Sequence, residues 1–330
     1  MRRHIPQVIY RWISVRKFLR ILLKVIAVFV AVVVAALATT TIVNASASKS
    51  EAGKIESYGQ RVTVDGKQMN VLIQGDAAET VVLLPGFGTA APALDFAPLI
   101  AELAPHYRVV VVEPFGYGLS DETEKPRTAQ NINTEVHSAL ASLGIDRYAL
   151  MGHSIAGIYA LDYANRFRGE LTAFVGIDSS VPTQPGMDDA LPIAAMKTAK
   201  TLGLTRVLMS MAGDPYAGLP YDDDMKEQMK LLSLKNSMSS TYSDEMEHFA
   251  TNFTSSRSQS FPRDLPVLEF VQRENTDVEG WLPLHEEQVA SVDTGELIQL
   301  DATHYLHHTK SPEIAQNFTR FMASVNENRT

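Results

Sequence analysis

The residues whose types and order could carry covalent chemistry begin with one serine. It lies in Tyr148-Ala149-Leu150-Met151-Gly152-His153-Ser154-Ile155-Ala156-Gly157, where an apolar run meets glycine, then His-Ser, then small residues that open a helix. A serine at such a sharp strand-to-helix turn projects its hydroxyl out of the fold, and bulky neighbours at 152 and 156 would collide across the turn. A hydroxyl is a weak nucleophile at neutral pH. It needs an imidazole to take its proton and a carboxylate to hold that imidazole in the right tautomer. Asp178, Glu274 and Asp277 are candidate carboxylates, and His304, His307 and His308 are late imidazoles. His153 adjoins the serine but leaves the turn in another direction, so a packing or pocket role is expected for it. A metal site built from His304, His307 and His308 lacks a carboxylate at a recognised ligand spacing, and no metal or cofactor is expected.

These groups need a scaffold. Residues 57–64 and 67–74 alternate around Asp65-Gly66 and read as a hairpin. The run at 80–84 reads as a strand covered on both faces, and 108–112, 148–151, 171–177, 266–271 and 296–300 also read as strands. Helical spacing at 94–103, 128–143, 155–166, about 283–290 and from 312 to about 325 separates most of them. The alternation predicts an α/β fold with a doubly wound, mostly parallel sheet, whose active groups gather at the carboxyl ends of strands. Pro85-Gly86-Phe87, Glu113, Ser154 and Asp178 all fall at such ends. From 181 to 265 the alternation lapses into three helical patterns, about 190–211, 222–238 and 243–255. Eight of the 12 methionines fall between Met187 and Met246. An adaptable, Met-rich insertion fits a helical lid over an apolar pocket.

Charge is divided unevenly. Residues 1–50 carry eight Lys or Arg and no acid, leaving 21 basic against 38 acidic residues in the remainder. An acidic globular part excludes a nucleic-acid partner, which needs clustered positive charge. With no cysteine, disulfides, thiolate metal sites and a Cys nucleophile are excluded. Residues 25–43 are 19 uncharged, mostly apolar positions preceded by a basic segment, 1–24. That length suits a single membrane crossing with the amino terminus cytoplasmic and the rest exported. Ala45-Ser46-Ala47 is also a cleavage pattern, so secretion after processing near Ala47 is the alternative. Residues 44–56 read as a short tether, 57–180 as the first part of the core, 181–265 as the lid and 266–330 as the second part.

Taken together, the chain from about 57 to 325 resembles the α/β-hydrolase family. The serine turn carries the likeness, with Glu113-Pro114-Phe115-Gly116-Tyr117-Gly118-Leu119-Ser120 similar to an acidic-x-x-Gly-x-Gly-x-Ser loop and His304 followed by Ser311-Pro312-Glu313. The resemblance implies Ser154 as nucleophile and His304 as base, with His307 and His308 on the surface or behind it. The implied acid is Glu274, after the seventh strand, with Asp178 as the alternative and Asp277 as a third candidate. It implies backbone N–H donors at Phe87 and Ile155 for an oxyanion. An aspartate at 154 would have suggested a dehalogenase or epoxide hydrolase; serine argues against both. The implied activity is cleavage of a small-molecule carboxylic ester, with a hydrophobic acyl group suggested by the lid. An aminopeptidase or amidase of the same fold is the nearest alternative, with Asp222, Asp223, Asp224 or Glu245 available to hold a substrate ammonium. A membrane-tethered binding protein without catalysis is the third reading.

Overall fold

The computed structural model describes residues 7–187, 189 and 191–327, and the chain divides into two units. The larger comprises Glu51–Met196 and Asp214–Thr330, the smaller Met1–Ser50 and Lys197–Gly213. The larger unit is built on an eight-stranded sheet: β1 (Gln60–Val64), β2 (Lys67–Gln74), β3 (Thr80–Leu84), β4 (Arg108–Glu113), β5 (Tyr148–His153), β6 (Leu171–Ile177), β7 (Val267–Gln272) and β8 (Gly295–Leu300). Their order is β1-β2-β4-β3-β5-β6-β7-β8, with β2 antiparallel to both neighbours and every pairing from β4 to β8 parallel.

Helices cover both faces, which explains the unbroken apolar runs. The helices of the chain are α1 (Gln7–Ala52), α2 (Pro92–Asp95), α3 (Ala97–Leu103), α4 (Ala129–Ser142), α5 (Ala156–Arg166), α6 (Ile193–Thr201), α7 (Leu204–Ala212), α8 (Asp223–Asn236), α9 (Ser240–Ser256), α10 (Trp281–Ala290), α11 (Leu306–Thr309) and α12 (Ser311–Glu327). Val82, Leu84, Val110, Val112 and Leu150 pack with Ile132, Val136 and Leu140 of α4 and Ile158 and Leu161 of α5. The alternate residues Val81, Leu83, Val109, Val111 and Met151 pack with Leu99 and Leu103 of α3 and Ile314, Phe318 and Phe321 of α12. This two-sided burial fixes the register, because a one-residue slip would exchange the faces of every strand. In that register Leu84 pairs with Gly152, His153 with Ile177, and Ile177 with Phe270, so the carboxyl ends of four strands meet.

The loop after β4 is held by a buried carboxylate. Glu113 accepts hydrogen bonds from the Tyr58 hydroxyl (2.7 Å), Asn70 Nδ2 (3.0 Å) and the backbone N–H groups of Ala93 (3.2 Å) and Leu119 (2.8 Å). Burial pushes the pKa of its carboxyl up, and these donors offset part of that rise. Gly118 has φ +50°, and a Cβ there would overlap the Glu113 carboxylate.

Four helices, α6 to α9, occupy the insertion between β6 and β7. The first expected helical pattern, about 190–211, is broken in two at Gly203, which has φ +75°. Asp222 caps α8 by accepting from Met225 N–H (2.7 Å), and Asp223 and Asp224 lie in its first turn. Glu245 is buried and accepts from the Tyr117 (2.9 Å) and Tyr159 (2.6 Å) hydroxyls. The segment expected to be a tether, 44–56, is instead helical to Ala52, because helix hydrogen bonding continues past the apolar run. Beyond it, Glu56 N–H donates to Gln228 Oε1 (3.0 Å) and Gln228 Nε2 to the Lys54 carbonyl (3.0 Å). Within the smaller unit, α1 is long and apolar enough to cross a membrane. There Asn44 Nδ2 donates to the Lys200 carbonyl and Asn44 Oδ1 accepts from Arg206 Nε, each at 3.2 Å.

Two glycines with left-handed backbones separate strain from collision. Gly144→Ala meets open space at φ +68° and should cost about 1–2 kcal/mol of stability. Gly118→Ala adds the clash with Glu113 and should cost more than ~3 kcal/mol. Denaturant midpoints of the two variants test the difference.

Candidate active site

Ser154 follows β5 at φ +53°, a backbone conformation that L-residues other than Asn and Asp seldom adopt. The surrounding bonds hold it there: its carbonyl accepts from Gly157 N–H (3.0 Å) and Ser180 N–H (2.7 Å), and its own N–H donates to the Ile177 carbonyl (3.3 Å). The small neighbours have a steric reason. A Cβ at Gly152 would lie 3.0 Å from the Ala156 Cβ, and one at Gly157 would lie 2.5 Å from the Ser180 carbonyl oxygen. Gly86 is constrained likewise, since its Cβ would fall 2.5 Å from His153 Nδ1.

The carboxylate that meets His304 is Asp178. Its Oδ2 lies 2.7 Å from His304 Nδ1. Its Oδ1 accepts from the Gln272 backbone N–H (3.0 Å) and from Trp281 Nε1 (2.8 Å). Asp178 is fully buried and, like the serine, left-handed (φ +46°). The expectation that Glu274 stands behind the histidine is therefore corrected. β7 ends at Gln272, the following Arg273 N–H donates to the Leu300 carbonyl, and the chain then carries Glu274 out into solvent. Asp277 is also exposed, at the mouth of the cleft, and its N–H bonds Asn275 Oδ1 (2.8 Å). The sequence signal for Asp178 was its place immediately after a fully apolar central strand; Trp281, which orients it, carried no signal.

A second carboxyl lies beneath the first. Glu269 on β7 is fully buried, and burial pushes its pKa up to about 8, with the charge of Asp178 adding to the rise. Near pH 7 it is mostly neutral. Ser179 Oγ donates to Glu269 Oε2 (3.0 Å).

The histidines around His304 form a buried set. His153 is buried, its Nε2 lies 3.2 Å from the His304 carbonyl, and burial holds its pKa well below the usual imidazole range. It braces the backbone of His304. The surface placement considered for His307 and His308 does not hold: both are buried, with Nε2 atoms at 2.7 Å and 2.9 Å from the two oxygens of Asp95. Burial alone would raise the Asp95 carboxyl pKa, but the two imidazoles hold it well below the carboxylate range. These three groups could also hold a metal ion; each imidazole Nε2 bonds the carboxylate, while His307 Nδ1 is buried without a hydrogen-bond partner. Asp95 ends α2, just past the loop after β3, so the cluster pins that loop to the one carrying His304.

Ser154, Ile155, Phe87 and His304 line one cleft of about 330 Å³. Among the described backbone hydrogen bonds, no acceptor takes the N–H of Phe87 or Ile155. The remaining wall is largely apolar, from Met187, Phe249, Phe253, Val278 and Trp281, with Ser180, Gln184, Gln272, Asn275 and Asp277 as polar points. Phe249 of α9 meets Phe87 edge-on and Tyr242 meets it at a tilt, with ring centroids 4.6 Å and 4.3 Å away.

Two measurements follow from this geometry. Asp178→Asn should lower kcat of any reaction run by His304 by about 10³–10⁴-fold, whereas Glu274→Gln should leave it essentially unchanged. For Glu269, the unfolded carboxyl (ordinary pKa 4.5) releases its proton before the folded one (about 8), so native stability falls as pH rises through that window. Glu269→Gln should remove that decline, and its melting temperature relative to the unsubstituted protein should rise from pH 5 to pH 8, by the equivalent of on the order of a few kcal/mol.

The fold and site can now be set beside known proteins. Residues 81–316 match the model of the alpha/beta hydrolase family. The uncharacterized protein YbdG of Bacillus subtilis is 27% identical over 289 residues, covering 83% of this chain and 89% of that one. A putative epoxide hydrolase from Pseudomonas aeruginosa superposes with TM-score 0.62 and 16% identity over 81% of this chain and 96% of its own. A bacterial membrane phospholipase A superposes with TM-score 0.58 and 18% identity, over 94% of this chain and 99% of its own. The family match spans most of the sheet and every residue of the candidate site, and the chain belongs to the alpha/beta hydrolase family.

Proposed function

We propose that this hydrolase cleaves a carboxylic ester through an acyl-enzyme on Ser154. The observation that carries the reading is the Asp178–His304 contact in the cleft that holds Ser154. Asp178 keeps the imidazole proton on Nδ1, which leaves the Nε2 lone pair for the serine. Ser154 Oγ attacks the substrate carbonyl carbon while its proton passes to His304 Nε2. The carbonyl oxygen takes up the negative charge and is stabilised by the N–H groups of Phe87 and Ile155. The C–O bond to the leaving group breaks as His304 returns the proton to the departing alkoxide. Water, deprotonated by His304, then attacks the acyl-enzyme, and the carboxylic acid leaves as Ser154 regains its proton.

The apolar wall of the cleft supports a hydrophobic acyl group, with helices of the insertion acting as a lid: Phe249 and Phe253 lie on α9. The amidase alternative loses its ammonium partners. Asp222 to Asp224 begin α8, and Glu245 is occupied by two tyrosine hydroxyls. The likeness to an epoxide hydrolase is one of fold, and the serine at 154 favours acyl transfer.

The same reading makes α1 a membrane anchor, with the basic end cytoplasmic and the hydrolase on the far side. The candidate cleavage point, Ala45-Ser46-Ala47, is helical and flanked by Asn44 and Ser48, both bonded to Arg206, which favours retention over processing. The likeness to a membrane phospholipase A, at 94% of this chain, extends beyond what the core alone would supply.

Turnover of nitrophenyl esters of graded acyl length against amino-acid anilides tests the substrate class. Esters with longer acyl groups should be preferred, and Ser154→Ala should lower ester turnover by at least ~10³-fold. Faster cleavage of anilides, or hydrolysis that survives the alanine, contradicts the reading.

A further inference from the structure

The smaller unit holds an apolar surface that none of the described residues covers. Segment 197–213 contains Lys197, Lys200 and Arg206 and no acid, in a chain whose residues after 50 are strongly acidic overall. Its helix α7 carries Leu204, Val207, Leu208 and Met211, the i, i+3, i+4, i+7 spacing of one face. That face is uncovered: Val207 is 39% exposed, Leu208 66% and Met211 77%. A soluble helix with this pattern would turn the stripe toward a core.

The placement of α7 along α1 indicates what covers the stripe. Gly203, the residue before α7, is buried against α1, where a Cβ would lie 2.6 Å from the Thr40 carbonyl oxygen and 2.9 Å from the Asn44 Cβ. Asn44 and Ser48 are hydrogen-bonded to Lys200 and Arg206. The apolar run of α1 ends at Val43. Its 19 residues rise about 28 Å, close to the thickness of bilayer hydrocarbon. The start of α7 is therefore tied to the level where hydrocarbon gives way to headgroups. An amphipathic helix with basic neighbours is suited to that layer, its apolar face ~5–10 Å into the acyl boundary and its cations among anionic headgroups.

We propose that α7 is an interfacial helix that docks on the lipid surface beside the exit of α1, with Val207, Leu208 and Met211 in lipid and a preference for anionic headgroups. The inserted segment between β6 and β7 would then be fixed to the bilayer independently of the anchor. The proposal rests on α1 spanning the membrane and makes no use of the Ser154 chemistry.

Because the chain lacks cysteine, single reporters are clean. Full-length Leu208→Cys, Met211→Cys, Ser210→Cys and Val33→Cys would each carry a nitrobenzoxadiazole label in vesicles of phosphatidylcholine and phosphatidylglycerol. Unchanged melting temperatures would show that each variant is folded. Labels at 208 and 211 should lose most of their emission to lipids bearing a shallow nitroxide and resist aqueous iodide, at every protein-to-lipid ratio. The label at 210, two residues round the helix, should respond the other way, and protection at 208 and 211 should weaken in phosphatidylcholine alone. If Val33 reports lipid while 208 and 211 report water, the docking proposal fails and the anchor stands. Protection that appears only at high protein density assigns the face to a second copy of this chain and also overturns it. A label at 33 outside lipid overturns both the anchor and the docking.

Discussion

One buried carboxylate organises the site. Asp178 has three partners on three separate elements: the end of β7 through Gln272 N–H, the start of α10 through Trp281 Nε1, and the loop after β8 through His304 Nδ1. Removing a charge from water costs several kcal/mol unless donors replace the lost solvation, and these three replace it. The price is a strict geometry. Neutral Glu269 underneath and a fully occupied Oδ1 leave Oδ2 directed at His304, so the imidazole has one favoured tautomer and one orientation.

Backbone strain at two adjacent strand ends positions Ser154 and Asp178. Ser154 and Asp178 both adopt left-handed conformations, each costing on the order of 1–3 kcal/mol, and both sit where a parallel strand is anchored on two sides. The sheet has two packed faces and a register that cannot slip, so it can hold such turns. Around them the small residues follow from contact distances: Gly86 yields to His153, Gly152 to Ala156, and Gly157 to the Ser180 carbonyl. The buried Asp95–His307–His308 cluster then joins the loop after β3, which carries Phe87, to the loop of His304.

Much of this was legible in the sequence, and for local reasons. The apolar runs gave the strands because both sheet faces are covered. The Ser154 turn was readable because its steric demands fall on immediate neighbours. The acid was misplaced because Glu274 and Asp178 both follow buried strands, and choosing between them depends on the exposed course of the chain after Gln272 and on Trp281, about a hundred residues from Asp178. Whether His307 and His308 lie on the surface or behind the base was left open because their partner, Asp95, lies over two hundred positions away. The helical tether was missed because small polar residues carry no periodic signal, while the bonds from Asn44 and Ser48 to Arg206 are long-range.

The central claim is that Ser154 is a nucleophile activated by His304 and Asp178. Intact and peptide mass measurement after treatment with a fluorophosphonate tests it most directly. The account predicts a single phosphonyl adduct on the peptide containing Ser154, formed rapidly by the unsubstituted protein and far more slowly once His304 is replaced by alanine. Folded protein that remains unlabelled, or an adduct on another residue, would contradict it.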